Sequence, residues 1–550
     1  MTVVAGAEAV ALPPWSIDPA DGANPPPALG DLFVAPARRW PDRRAISDGA
    51  TSYTFAQLEQ GAQAVAAWLT GQGIGAGDRV VVLAEKRAVM PILAVAVWKC
   101  GAVYVPLDTT EPTDRLRGLL TRLRPAVVIA VDDREPVAPG DRWLGPDQLA
   151  GILSGPVTQH VTVAHRPEDA AYIIFASGAT GQPQGVENSV ASLLAYFGNH
   201  NQVLRFTPQS RVLSLSPFNV DVSFEDTFLP LSLGAFVHQF RSLPAGAVMR
   251  AVLGRERITH LIAVSMLLAM VTGDGRQITP AKLPSLELVM TGAQVCDPAV
   301  LNIWKRQLPR ARVVHAFGPP EATVFCLTHE IAQEDPDRST AYPVGRPLRG
   351  MTAKIMQDGV EVHQPDLPGE LWVGGNQIMR GYFDQPEETA RLVVQRDGTR
   401  YFRTGDVCSY AQDGTIVFHG HGDDQITWLA GRRTHLGEIR RVALDCPGVD
   451  AAVAAVVRHR QRDVTALVVT SGDRRVVADV QARLHGLLPG YLRPTLVAWS
   501  PAAPATSTTE VDGRQLIDRL TTAAEQAESN HFALLTDGTA EPIDKVETCL

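Results

Sequence analysis

The stretch Tyr172-Ile-Ile-Phe-Ala-Ser-Gly-Ala-Thr-Gly-Gln-Pro-Gln-Gly-Val186 carries the reading of this chain. An apolar, β-prone run at 172–175 passes directly into a loop of small and hydroxyl-bearing residues. Glycines at Gly178, Gly181 and Gly185 let backbone N–H groups curl around an anion, and the hydroxyls of Ser177 and Thr180 add donors. Taken alone, the loop reads equally as a turn and as a phosphate cradle. It is not a Walker loop, because no Gly-Lys-Ser/Thr follows the glycines.

Outward from this stretch, strand-like runs recur at 126–131, 212–215, 260–264, 286–290 and 312–314, with patterned helical segments between most of them. That alternation predicts parallel α/β layers. One helix begins at Thr54: Thr54-x-x-Gln57 is a capping-box pattern, and Phe55, Leu58, Ala62, Val65, Ala66 and Leu69 follow at helical spacing. From about residue 342 the pattern turns Gly-rich and strand-dominated, and near 420–424 a small α+β unit starts. The fold class expected is therefore α/β: a large N-terminal lobe of layered subdomains over 29–420 and a small, mobile α+β lobe over 421–525. Residues 1–28, rich in Pro, Ala and Gly, read as a disordered lead-in. The polar, unpatterned residues 526–550 read as a flexible tail.

Composition narrows the function. Apolar residues make up 45% and charged residues 20%, enough to bury large cores. A formal net charge of −9 gives no electrostatic basis for nucleic-acid binding. The cysteines show no CxxC pair and no metal-ligand spacing. Apolar runs at 88–98 and 261–272 fall short of the ~20 residues a membrane span needs. The N-terminus has no basic region ahead of an apolar one, so a cytoplasmic location is expected. Lysine is scarce, occurring only at Lys86, Lys99, Lys282, Lys305, Lys354 and Lys545.

Further segments lie in a fixed order around the loop: Gly101-Ala-Val-Tyr-Val-Pro-Leu-Asp108, Asp221-Val-Ser-Phe-Glu225, Phe228-Leu-Pro-Leu231, His315-Ala-Phe-Gly-Pro-Pro-Glu321, Gly369-Glu-Leu371, Phe402-Arg-Thr-Gly-Asp406 and Leu436-Gly-Glu-Ile439. In these segments, over about residues 30–520, the chain resembles the adenylate-forming (AMP-binding) superfamily, most closely the amino-acid adenylation domains of nonribosomal peptide synthesis. The resemblance implies ATP and Mg2+ as cofactors. It also implies that Asp406 grips the ribose diol, a task suited to a carboxylate that accepts from two neighbouring hydroxyls. Phe317 would stack on adenine, with Gly318 beside it. Glu321 would hold the magnesium, since a hard cation on phosphates favours carboxylate oxygen. Ser177, Gly178, Thr180, Gly181 and Gly185 would form the nucleotide loop. Asp221 would pair with a substrate α-ammonium group. The side-chain pocket would be lined by Val222, Glu225, Ile262, Met290, Gly292, Ala316, Val324 and Phe325, with a buried Glu225 seeking a cationic or hydrogen-bonding partner. A hinge would fall near Asp423.

The chain departs from the family pattern where positive charge is expected. The loop lysines are Gln182 and Gln184, and a hydroxyl position is Ala179. The element ending in Glu321 has Pro320 in place of a hydroxyl, and a usual Gly-Arg reads Gly420-His421. The C-terminal catalytic lysine is replaced in Thr508-Thr-Glu-Val-Asp512 by Glu510, and Arg514 is the nearest cation. An arginine bias would have kept the charge, whereas Gln, Gln and Glu remove it.

Three functions follow from the resemblance. The first is ATP-dependent activation of an amino acid for transfer to a carrier protein in trans, with Thr180, Glu321 and Arg514 as catalytic residues. The second is a binding scaffold that has lost adenylation. The third is an acyl-CoA-type ligase for a non-amino acid, which Asp221 disfavours.

Overall fold

The computed structural model describes residues 28–137, 142–157, 159–176, 183–241, 245–292, 295–422, 426–429, 432–460, 462–501, 513–526, 529–535 and 539–543. The lead-in before residue 28, the loop residues Ser177 to Gln182, the expected hinge residue Asp423 and Glu510 lie outside these residues.

Two mostly parallel sheets build the large lobe. In the nine-stranded one, Arg44–Ser47, Phe236–Gln239, Arg211–Ser214, His260–Val264, Leu288–Gly292 and Arg312–Phe317 run parallel, with antiparallel strands at both edges. In the seven-stranded one, Arg79–Leu83 lies between Val103–Leu107 and Val127–Ala130, and Ala170–Ala176 follows, paired with the antiparallel Gln184–Ser189. Such strands are covered on both faces, which is why they read as unbroken apolar runs.

The helix Met90–Lys99 shows how the two sheets share a core. Every one of its residues is buried, and it packs with aromatic and aliphatic side chains contributed by both sheets. A helix apolar on all sides must be enclosed, and ten residues are too few to cross a bilayer. Among the described residues no helix is long and apolar enough to cross a membrane. The helix Phe55–Gly71 opens at Thr54 with both reciprocal hydrogen bonds of the capping box formed.

A third, six-stranded antiparallel sheet holds Met351–Gln357, Gly369–Gly375, Thr399–Tyr410 and Ile416–His421. It accounts for the Gly-rich change of pattern after residue 342. The small lobe has a hairpin, Ile426–Leu429 with Arg432–His435, and a sheet beginning Ala451–His459, Arg462–Thr470 and Leu496–Ser500. Helices Gly437–Leu444 and Val476–Leu487 cover one face of that sheet, and Gly513–Gln526 covers the other.

Residues 529–535 and 539–543 differ from the flexible tail expected over 526–550. His531–Leu534 continues the small-lobe sheet parallel to Leu496–Ser500, and Ala540–Pro542 folds back against it. Phe532 and Leu534 are buried against the helix Gly513–Gln526. A four-residue apolar run is too short to announce itself by periodicity; its strand character comes from the edge of Leu496–Ser500.

The lobes meet at Arg115, on the helix Thr113–Leu123. Its guanidinium is paired with Glu438 of the small lobe and with Glu111, 3.0 Å away, and all three side chains are largely buried.

Candidate active site

Parallel strands place functional side chains at their C-terminal ends, where helix N-termini and loops open a crevice. Ile262, Met290 and Val314 stand in register on three adjacent strands. Two residues further along lie Val264, Gly292 and Ala316, on the same face because strand side chains alternate. Val222, Ile262, Met290, Ala316, Val324 and Phe325 are buried together. Gly292 has no room for a side chain, since a Cβ there would lie 2.5 Å from the Phe325 ring and 2.7 Å from the Ala316 carbonyl. The ring therefore seats directly on the glycine.

Asp221 enters the same region from the loop after Arg211–Ser214 and is buried. No described side chain forms an ion pair with it. Burial first, then the neighbouring carboxylate of Glu321, raises its pKa from 3.8 to about 7, against backbone hydrogen bonds that lower it. Such a group is poised to take up a cation. The chain then turns into a short π-helix, Phe224–Phe228, a widened helical turn often found at functional sites.

Glu225 in that turn is fully buried. The partner expected of a ligand is supplied in part by the protein itself: Tyr196 donates to Glu225 Oε2 at 2.6 Å and touches His200 Nδ1 at 2.7 Å. His200 Nδ1 lies 3.4 Å from the same carboxylate oxygen. Glu225 Oε1 and His200 Nε2 are buried with no hydrogen-bond partner. Tyr196 and His200 sit one turn apart on the helix Val190–Leu204; that spacing is visible in the sequence, but its relation to Glu225 is not.

Glu321 lies on a loop held under strain. Thr323 and Val324 both have left-handed backbone, at φ 54° and 69°, which costs most for a β-branched residue. A clamp offsets that cost. Gln377 Nε2 donates to the Phe325 and Ala322 carbonyls, Thr323 donates to the Gln377 carbonyl at 2.6 Å, and Asn188 donates to the Pro320 carbonyl. Gly318 is required in this loop, because a Cβ would lie 2.3 Å from the Val324 carbonyl oxygen. Glu321 Oε1 accepts from Tyr382 at 2.7 Å, while Oε2 is buried without a partner. A buried carboxylate oxygen left open in this way fits a magnesium ion, and Glu321 would be the residue holding it.

Asp406 is buried within the long strand Thr399–Tyr410. His421, from the paired strand Ile416–His421, brings Nδ1 to 2.5 Å from Asp406 Oδ1. The expected Gly-Arg position is thus filled by a side chain that grips the ribose-binding candidate. Phe317 is partly buried, with its ring 6.2 Å from that of Phe418, at the entrance that adenine would use.

Not every candidate lies in the crevice. Gly185 sits within the strand Gln184–Ser189, where a Cβ would press on Ile173, Phe175 and Phe383 at 3.0 to 3.2 Å. Close packing explains that glycine. Gln184 is buried, and its Nε2 has no hydrogen-bond partner among the described residues. Ser177, Gly178, Thr180 and Gly181 lie outside the described residues, as does the Arg514 side chain.

The pattern of the AMP-binding enzyme family matches residues 33–383. Phenyloxazoline synthase MbtB of Mycolicibacterium paratuberculosis is 31% identical over 523 residues, 92% of this chain and 44% of that protein. The chain thus spans less than half the length of the first relatives it matches. Novobiocin biosynthesis protein H of Streptomyces niveus is 28% identical over 89% of this chain and 82% of its own. The solved structure of PA1221, a nonribosomal peptide synthetase protein containing adenylation and PCP domains, superposes with a TM-score of 0.76 at 22% identity, over 90% of this chain and 84% of that one. These likenesses join the two-lobed architecture to a family match covering more than half of the sequence, and the chain belongs to the AMP-binding enzyme family, the adenylate-forming superfamily, with relatives among nonribosomal peptide synthetase adenylation proteins.

Proposed function

We propose that this protein activates an α-amino acid with ATP as an aminoacyl-adenylate, for transfer to a separate carrier protein in cytoplasmic nonribosomal peptide biosynthesis. The observation that carries the reading is Asp221. It is a buried carboxyl beside Glu321, with its pKa raised to about 7 and no ion-pair partner among the described residues, so its natural neutraliser is the ammonium of a bound ligand. An acyl ligase for a plain carboxylic acid would leave that carboxyl unpaired.

The geometry supports a division of labour. Asp406, steadied by His421, holds the ribose; Phe317 flanks the base; Asp221 orients the amino acid so that its carboxylate approaches the α-phosphate. Magnesium held by Glu321 would neutralise phosphate charge as it develops. Arg514, from the helix Gly513–Gln526, is the candidate cation in place of the missing lysine. Orientation of two reactants in one crevice supplies much of the rate in such transfers, and fixed charge supplies the rest.

A second reading has its own support. Gln182, Gln184 and Glu510 remove three positive charges expected near the phosphates, which favours a nucleotide- and amino-acid-binding scaffold with impaired chemistry. Thermal melts separate amino-acid recognition from acyl recognition. With Mg-ATP present, free amino acids should stabilise the protein and their deaminated analogues should not. Equal stabilisation by both would overturn the amino-acid reading.

A further inference from the structure

Three groups around the pocket form a hydrogen-bond chain whose ends are open. Tyr196 has one hydroxyl proton and gives it to Glu225 Oε2. His200 Nδ1, 2.7 Å from the same phenol oxygen, must then act as the donor to it. That tautomer leaves Nε2 of a neutral ring as an acceptor. The two buried atoms without partners, Glu225 Oε1 and His200 Nε2, are therefore both acceptors, and both side chains are fully buried. Two such acceptors without donors are costly unless a ligand supplies them.

Their position ties them to the substrate site. Glu225 follows Asp221 by four residues, from the turn at Asp221 into the π-helix Phe224–Phe228, and its charge helps to raise the Asp221 pKa. The His200 ring is 5.9 Å from the Phe325 ring, which lies on Gly292. No arginine or lysine pairs with Glu225 among the described residues. An occupant that satisfies Asp221 through its α-ammonium therefore has a short reach to Glu225.

We propose that the substrate is an α-amino acid with a second ammonium group on a short side chain, which donates to Glu225 Oε1 and His200 Nε2 while its α-ammonium pairs with Asp221. This assignment rests on the amino-acid reading above. An apolar side chain of the same length would leave both acceptors buried and unpaired.

Calorimetry on the full chain with Mg-ATP tests it, using L-2,4-diaminobutyrate, L-ornithine, L-homoserine and L-norvaline as probes. At least one diamino acid should bind about tenfold to a hundredfold more tightly than norvaline, the effect expected of charged hydrogen bonds. Glu225→Gln should erase most of that preference. If the variant does not fold, the wild-type ranking alone decides. Norvaline bound as tightly as the diamino acids overturns the inference and leaves amino-acid activation standing. Homoserine bound as tightly as diaminobutyrate overturns the assignment of a cation. Failure of all four probes to bind overturns both this inference and the amino-acid reading beneath it.

Discussion

His421 Nδ1 lies 2.5 Å from Asp406 Oδ1, and the carboxylate so fixed is the one that would face the ribose diol. A second contact orders its backbone, the Asp406 N–H donating to the Thr404 hydroxyl at 3.0 Å. Removing the carboxylate in Asp406→Ala should weaken Mg-ATP binding by ~1.5–3 kcal/mol, the range for charged hydrogen bonds. His421→Ala should weaken it less, by ~0.5–1.5 kcal/mol, because it loosens the carboxylate without removing it. Calorimetry with Mg-ATP measures both, and an unchanged affinity in Asp406→Ala would remove Asp406 from the nucleotide site.

Glu321 offers one oxygen to Tyr382 and leaves the other open. If magnesium occupies that opening, the metal should tighten ATP binding to the wild type and do little for Glu321→Gln, which keeps the shape and loses the charge. Titrating ATP with magnesium and with EDTA against both proteins checks this. A variant that still gains fully from magnesium would place the metal elsewhere.

Asp221 makes folding stability depend on pH. Its folded pKa of about 7 exceeds the unfolded 3.8, so between roughly pH 4 and 7 the folded chain keeps a proton that the unfolded chain releases. Stability from this group is complete below that window and is lost as pH rises through it, by at most about 4 kcal/mol. Asp221→Asn should flatten the slope, and urea unfolding at pH 5 and pH 8 compares the two. Amino-acid binding should run the other way, tightening by about tenfold per unit up to pH 7, because only the ionised carboxyl pairs with an ammonium.

The Phe325 ring fills the space a Gly292 side chain would need. Gly292→Ala should force the ring or the Ala316 backbone to shift and destabilise the fold by ~1–3 kcal/mol. A melting temperature equal to that of wild type would mean that the ring is not seated there.

The layered fold was largely legible before the structure. Strands such as His260–Val264 and the capped helix after Thr54 carry their signals in local spacing, and parallel strands buried on both faces can only read as apolar runs. Asp221, Glu321 and Asp406 could be singled out because each sits in a short ordered motif. What surrounds them could not. Tyr196 and His200 reach Glu225 across 29 and 25 positions, Gln377 clamps a loop more than 50 positions away, and Tyr382 meets Glu321 from another sheet. Such contacts depend on how sheets pack, which no local pattern encodes. At Gly185 the converse holds: a glycine that close packing requires looks, in sequence, like one that curls around a phosphate.

The central claim is that this crevice joins an amino acid to the α-phosphate of ATP despite the lost lysines, and pyrophosphate release tests it most directly. Wild type, Arg514→Ala and Glu510→Lys are assayed against a panel of amino acids. With Arg514 supplying the cation, wild type should release pyrophosphate in the presence of at least one amino acid. Arg514→Ala should lose about 10²–10³ in rate, the usual worth of one preorganised donor at a developing charge, and Glu510→Lys should change little. A wild type and a Glu510→Lys variant that both bind Mg-ATP and amino acid, yet release no pyrophosphate with any member of the panel, would contradict the claim and leave a binding scaffold.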